Sequence, residues 1–173
     1  MNRQIRVSIL GVTGSVGQAT SQVISARTPD GPLFKVTAVT ANSNVNELAQ
    51  AAIKHDAEFA AIAKPELYQD LKAALANTKI EIGAGPEAIC EAAARDADTV
   101  VAGIVGIAGL RPTLAALKTG ASVALANKES MVCAGRLINS ITAQSAAKIL
   151  PIDSEHNAIF QVLDRPERVG KIT

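Results

Sequence analysis

"ILGVTGSVGQAT", Ile9 to Thr20, carries an apolar run into three glycines and out again into an alternating apolar pattern. The run before it, Ile5 to Leu10, is β-branched and reads as a strand. The segment after it, Ser15 to Arg27, places Ala19, Val23 and Ile24 at helical spacing and reads as a helix. Glycines at a strand-to-helix junction have separable tasks. Gly11 permits the tight turn, Gly14 lets backbone approach a pyrophosphate, and Gly17 allows the helix to pack closely on the sheet. The helix N-terminus would present unpaired N–H groups to the phosphates. The spacing is one residue longer than the commonest dinucleotide fingerprint, and an ordinary βα turn without ligand is the competing explanation.

Outward from this turn, short β-branched runs alternate with Ala-rich helical segments. Strands are expected at Phe34–Thr40, Phe59–Ala63, Lys79–Gly83, Thr99–Ile104, Ser122–Ala126 and Lys148–Leu150. Helices are expected at Val45–His55, Pro65–Leu75 and Pro86–Arg95, with two more in "LRPTLAALKTG" and "KESMVCAGRLINSITAQSA". This alternation predicts an α/β chain with a Rossmann-like, doubly wound parallel sheet. After Pro151 the charge density rises and no complete βα unit follows. Residues 1–150 are therefore expected to form a nucleotide-binding domain, and residues 151–173 the start of a second, truncated domain. "RVGKIT" at the end reads as a strand.

Composition narrows the function classes. The chain has 173 residues, is 48% hydrophobic and carries a formal net charge of +1, so no polyanionic partner or acidic membrane is called for. Aromatic residues are only 2%, too few for platforms that stack nucleic-acid bases. The apolar stretch from Thr99 to Leu110 is short and broken by Gly103, Gly106 and Gly109, which argues against a membrane helix. Two cysteines without a disulfide-dense pattern or a leader make the cytoplasm the expected compartment.

The turn after the second strand, Thr40 to Asn44, has no acidic residue for a ribose 2′-hydroxyl, which permits NADP. It has no Arg or Lys either, leaving Asn42, Ser43 and Asn44 as neutral donors; capping the next helix is the simpler alternative. Asn127, Lys128 and Glu129 follow another strand. Asn127 suits an N-cap and Glu129 a first turn, whereas the cation Lys128 is misplaced at a positive helix end and suggests an anionic or hydroxyl-bearing substrate. Asp153 and Glu155 stand two apart. If extended, both would face one way and suit Mg²⁺ or Mn²⁺, with His156 on the other side; a solvated strand end is the alternative.

Taken together and in order, "GVTGSVG", "ANKES" and "LPIDSEHNAIFQ" closely resemble the 1-deoxy-D-xylulose 5-phosphate reductoisomerase family of non-mevalonate isoprenoid biosynthesis. The last two motifs are specific and the glycine turn is not. The resemblance spans essentially the whole chain, as the N-terminal part of such an enzyme. It implies NADPH and a divalent metal, Mg²⁺ or Mn²⁺. It implies NADPH contacts at Thr13, Gly14, Ser15, Val16, Asn42, Ser43, Asn44, Asn127 and Glu129. It implies substrate contacts at Lys128, Ser154 and Glu155, and metal ligation by Asp153 and Glu155. Val12 departs from a frequent serine, and Asn42 and Ser43 from a glycine and a basic residue that can occur there.

The implied reaction rearranges the carbon skeleton of 1-deoxy-D-xylulose 5-phosphate and reduces the resulting aldehyde with NADPH to 2-C-methyl-D-erythritol 4-phosphate. In the family a third metal-binding glutamate, a phosphate-binding set and a lid come from a later region, so a weakly active or inactive NADPH-binding fragment is expected. The full-length enzyme is expected to be a homodimer, with no nucleic-acid or membrane partner. Because Ser154 would touch substrate between two carboxylates, an irregular loop is expected over Asp153–Glu155. Two other classes remain. A semialdehyde dehydrogenase-like enzyme would need Cys90 or Cys133 as nucleophile beside a base, yet both fall inside helices. A non-catalytic nucleotide-binding module would bind NADPH without metal.

Overall fold

The computed structural model describes residues 4–26 and 31–163. Seven strands form a single parallel sheet, whose apolar strands are buried because helices cover both faces. In chain order they are β1 (Gln4–Leu10), β2 (Leu33–Ala41), β3 (Phe59–Ile62), β4 (Glu81–Ala84), β5 (Thr99–Ala102), β6 (Ser122–Leu125) and β7 (Ile149–Pro151). The helices are α1 (Ser15–Ser25), α2 (Val45–Lys54), α3 (Tyr68–Ala74), α4 (Pro86–Ala94), α5 (Leu110–Lys118), α6 (Lys128–Ala143) and α7 (Ser154–Val162). Strand order is β4-β3-β2-β1-β5-β6-β7, so the chain reverses direction across the sheet between β1 and β5. That reversal is the switch point at which open α/β sheets leave a crevice beyond the strands' carboxyl ends.

The core divides into two layers. Leu48, Ala52 and Leu71 pack on one face of the sheet with Ile9, Val36 and Val39. Ile89, Ala92, Leu117 and Ile138 pack on the other with Leu10, Val100 and Val123. Each large aliphatic side chain buried in this way contributes roughly 1.5–3 kcal/mol. The register between β1 and β2 shifts after Val7, which leaves Thr37 without a counterpart on β1. Its hydroxyl pairs with that of Ser8 at 2.7 Å, so the polar residues that interrupt two buried strands satisfy each other.

The expected Rossmann-like α/β fold is present, with differences of detail. Val23, one of the three apolar residues at helical spacing in α1, is 65% exposed, and Gly17 is the buried residue of that helix. The helix expected from Pro65 to Leu75 begins as a 3-10 turn, Pro65–Leu67. β7 pairs with β6 as far as Leu125↔Pro151, so this strand runs one residue past the expected Lys148–Leu150. Asp153–Glu155 is neither an irregular loop nor a strand: Asp153 caps α7, and Ser154 and Glu155 form its first turn. The final stretch expected as a strand, from Arg168 to Thr173, lies outside the described residues, as does Arg27 at the expected end of the first helix.

Candidate functional site

The glycine turn docks against its neighbours through backbone. Gly11 N–H donates to the Thr40 hydroxyl at 2.9 Å, and Val12 N–H to the Thr40 carbonyl at 2.8 Å. Gly11 sits at φ +80°, and a Cβ there would stand 3.1 Å from the Gly103 carbonyl oxygen. A Cβ on Gly17 would overlap the backbone of Gly11 and Val12, which is why α1 can approach the turn so closely. Gly14 differs. A Cβ there would meet only the Gly11 carbonyl, at an ordinary 3.4 Å. Its missing side chain serves open space rather than packing.

That space is a cleft of about 550 Å³ at the switch point. Its walls include Gly11, Thr13 and Gly14 from the first turn, Asn42 after β2, and Gly103 and Ile104 after β5. Val105 and Ile107 on its lip are 85% and 63% exposed, an apolar surface left uncovered among the described residues. The N-terminus of α1 enters the cleft region with no side-chain cap and no acidic residue in its first turn. By contrast α2, α6 and α7 are capped by Asn44, Asn127 and Asp153. Free N–H groups, a positive helix end and a glycine left open are the features that hold a pyrophosphate. The chain's residues therefore fit a dinucleotide on geometry alone.

The implied contact residues meet this cleft to different degrees. Thr13, Gly14 and Asn42 line it, Ser15 and Val16 open α1 beside it, and Ser43 and Asn44 are exposed on the adjoining turn. Asn44 spends its side-chain oxygen on Glu47 N–H, 3.1 Å away. Asn127 is 2% exposed and fully engaged. Its amide nitrogen donates to the carbonyls of Ile104 and Gly106 at 2.7 and 2.6 Å, and its oxygen accepts from Ser130 N–H at 3.1 Å. It clamps the apolar lip to the head of α6, so it shapes the cleft through the loop it holds. Glu129 is exposed on the next residue but one. Ser130 Oγ, at the same junction, is buried without a hydrogen-bond partner.

A second groove, about 940 Å³, lies between α6 and α7 and is lined by Lys128, Asp153, His156 and apolar residues such as Met131 and Phe160. Here the cap-and-helix geometry replaces the irregular loop expected over Asp153–Glu155, and the placement of His156 away from the carboxylates that a regular extended segment would give does not hold. Asp153 Oδ1 accepts from His156 N–H at 3.0 Å and lies 2.6 Å from His156 Nδ1, so the imidazole joins the aspartate rather than facing away. The backbone N–H of His156, with its ring, holds the Asp153 carboxyl below its usual range. Glu155 accepts from the Ser154 hydroxyl at 2.8 Å and stands 4.0 Å from Lys128 Nζ. The Ser154 hydroxyl, with a smaller pull from Lys128, lowers the Glu155 carboxyl too. Both groups are thus ionised hard-oxygen donors, which is the donor chemistry that Mg²⁺ or Mn²⁺ takes. Among the described residues no third acidic, His or Cys side chain completes a metal cluster with them.

Cys90 went unnoticed in the sequence as a cleft residue. It belongs to α4, yet it lines the dinucleotide cleft. Burial pushes its thiol up, away from the reactive thiolate, and no base hydrogen-bonds to it. Cys133 is exposed on α6. Neither supports the semialdehyde dehydrogenase-like alternative.

A parallel sheet with this strand order and a glycine turn at its switch point defines a Rossmann-like dinucleotide-binding domain. The comparisons specify which one. The profile of 1-deoxy-D-xylulose 5-phosphate reductoisomerase matches residues 7–135, and the chain belongs to that family. A relative of that name from Rhodopseudomonas palustris (strain BisA53) is 53% identical over 163 residues, 94% of this chain and 39% of the relative. One from Zymomonas mobilis is 48% identical over 168 residues, 97% of this chain and 42% of the relative. The solved Zymomonas mobilis reductoisomerase in complex with NADPH superposes with a TM-score of 0.87 at 48% identity, covering 92% of this chain and 41% of that one. A solved reductoisomerase in complex with NADPH, fosmidomycin and magnesium superposes with a TM-score of 0.83 at 39% identity, covering 91% and 38%. The chain therefore spans about two fifths of the length of the relatives it matches. Among the described residues no helix is long and apolar enough to cross a membrane.

Proposed function

We propose that this chain is the NADPH-binding part of a reductoisomerase that converts 1-deoxy-D-xylulose 5-phosphate to 2-C-methyl-D-erythritol 4-phosphate, with the first half of the metal site attached. The observation that carries this is the open Gly14 beside the uncapped N-terminus of α1, at the β1/β5 switch point. Solved reductoisomerases in complex with NADPH, and with NADPH, fosmidomycin and magnesium, support it. Residues 1–150 hold the coenzyme, and residues from 151 onward open the catalytic part.

Backbone N–H groups of Ser15 and Val16 and the hydroxyl of Thr13 bind the pyrophosphate. Asn42, Ser43 and Asn44 receive the adenosine ribose and its 2′-phosphate. Asn127 fixes the Ile104–Gly106 lip, with Glu129 beside it, so that the nicotinamide has one seat and water is kept from it. Lys128 and Ser154 orient the hydroxyls of the sugar phosphate over that seat. Asp153 and Glu155 hold the divalent cation, and the His156 N–H orients Asp153 for the task. When bound, NADPH supplies a hydride and the cation polarises substrate oxygens.

Among the described residues only Asp153 and Glu155 are offered to the cation, which leaves most of an octahedron to water, and on this reading residues 1–173 bind NADPH but turn over slowly or not at all. The longer enzyme acts as a cytoplasmic homodimer. Calorimetric titration of Mn²⁺ into the wild-type chain and into Asp153→Ala tests the metal half. Binding that weakens at least about tenfold in the variant is expected. Equal, weak binding by both would favour a nucleotide module without catalytic metal.

A further inference from the structure

The turn that receives the 2′-phosphate, Asn42–Ser43–Asn44, holds no cation. Neutral donors alone discriminate poorly between a 2′-phosphate and a 2′-hydroxyl, because both accept hydrogen bonds. The neighbouring strand supplies what the turn lacks. β3 runs beside β2 in the register Ala41↔Ile62, and the pairing continues past both strand ends. Ala63 N–H donates to the Ala41 carbonyl at 2.9 Å, and Lys64 N–H donates to the Asn42 carbonyl at 3.3 Å. Lys64 is thus hydrogen-bonded by its backbone to the first residue of the phosphate turn.

Lys64 is exposed, and no carboxylate pairs with its ammonium among the described residues. Among the described residues, two other cations near this edge already have carboxylate partners. Arg111, the one charged residue in the cleft lining, is bonded to Glu87 at 2.8 Å across α4 and α5. Lys128 faces Glu155 beyond β6. The cleft side of the turn is closed to acidic residues as well, since Thr40, Ala41, Asn42 and Ala63 line it. A lysine is a flexible point charge on a four-carbon stem and meets phosphate without the fixed angle a guanidinium requires.

We infer that Lys64 is the specificity-determining residue that selects NADPH over NADH in this chain, its ammonium meeting the 2′-phosphate held at Asn42–Asn44. The assignment rests on the NADPH role proposed above. It explains how a turn without Arg or Lys still favours the phosphorylated coenzyme: the cation comes from the end of β3 instead of β2.

The test is calorimetric titration of NADPH, NADH and 2′,5′-ADP into the wild-type chain, Lys64→Gln, Lys64→Arg and Arg111→Gln. Lys64→Gln should bind NADPH and 2′,5′-ADP about tenfold more weakly, equivalent to about 1.4 kcal/mol, with NADH affinity unchanged. Lys64→Arg should restore the preference, and added salt should shrink the difference between wild type and Lys64→Gln. Arg111→Gln should alter NADPH and NADH by the same factor. The inference fails if Lys64→Gln binds NADPH like wild type, loses both coenzymes equally, or if Arg111→Gln alone removes the preference. A wild-type chain that binds both coenzymes equally also overturns it but leaves the cleft intact as a dinucleotide site. One that binds neither overturns the cofactor role itself.

Discussion

Lys128 Nζ stands 4.0 Å from Glu155 Oε1, which joins the first residue of α6 to the first turn of α7. Two sequence motifs that look independent thereby face one groove. Both side chains are more than half exposed, so the pair is a positioning contact rather than a source of stability. Lys128→Met should leave the unfolding midpoint unchanged. It should move the Glu155 carboxyl titration upward, because one of the groups that lower it is gone. Carboxyl-detected NMR across a pH series checks this. An unmoved Glu155 would show that the Ser154 hydroxyl and the backbone N–H of Glu155 set its titration without Lys128.

The three glycines of the first turn should respond differently to alanine. Gly11→Ala forces a side chain to φ +80° and toward the Gly103 carbonyl, and should destabilise by about 1–3 kcal/mol. Gly17→Ala places a methyl in backbone and should cost at least as much. Gly14→Ala should change stability by less than about 1 kcal/mol while weakening dinucleotide binding, since its Cβ enters only the cleft. Urea unfolding alongside NADPH titration separates these cases. A Gly14→Ala chain that unfolds as readily as Gly17→Ala would refute the assignment of Gly14 to ligand space.

Asn127→Ala removes an N-cap and takes a side-chain donor from the Ile104 and Gly106 carbonyls, of which Gly106 keeps the Gly109 N–H at 3.2 Å. A loss of about 2–4 kcal/mol is expected in urea unfolding. Asn127→Asp keeps the cap but turns an acceptor toward two carbonyls, so it should not rescue. Nearby, Ser130→Ala deletes a buried hydroxyl that has no partner. It should be neutral or stabilise by up to about 1 kcal/mol, and a marked loss would reveal a hydrogen bond that the structure lacks.

His55 reports on pH. Its Nε2 lies 2.6 Å from the Ser21 hydroxyl, tying α2 to α1. Burial, followed by the charge of Lys54, lowers its pKa. A lowered folded-state value means that the unfolded chain binds more protons. The contribution is therefore fully present above the ordinary histidine value of about 6.5 and is lost as pH falls through the depressed folded value. Unfolding midpoints should decline through this window, and His55→Gln should flatten that decline. An unchanged slope in the variant would place the titrating group elsewhere.

Much of the fold was legible because buried parallel strands read as short β-branched runs, and the helices between them carry their own period. The glycine turn was legible for the same reason, in its strand-to-helix context. Asp153–Glu155 was not. Asp153 and Glu155 are equally a helix N-cap and an acidic first turn, and weighing them only as an extended pair or an irregular loop hid the start of α7. Asn127 was legible as an N-cap, but its clamp on the Ile104–Gly106 loop was not, because sequence does not show that this loop folds back onto it. Cys90 and Lys64 needed the sheet order, since only strand pairing reveals which side chains border a crevice.

The cofactor cleft itself is tested most directly by following backbone amide NMR shifts of the chain while NADPH is added. Saturable shifts should concentrate at Gly11–Val16, Asn42–Asn44 and the Ile104–Gly106 lip, where the uncapped helix and the open glycine meet. Absence of saturable shifts, or shifts gathered in the groove between α6 and α7 instead, would contradict the placement of NADPH at the β1/β5 switch point.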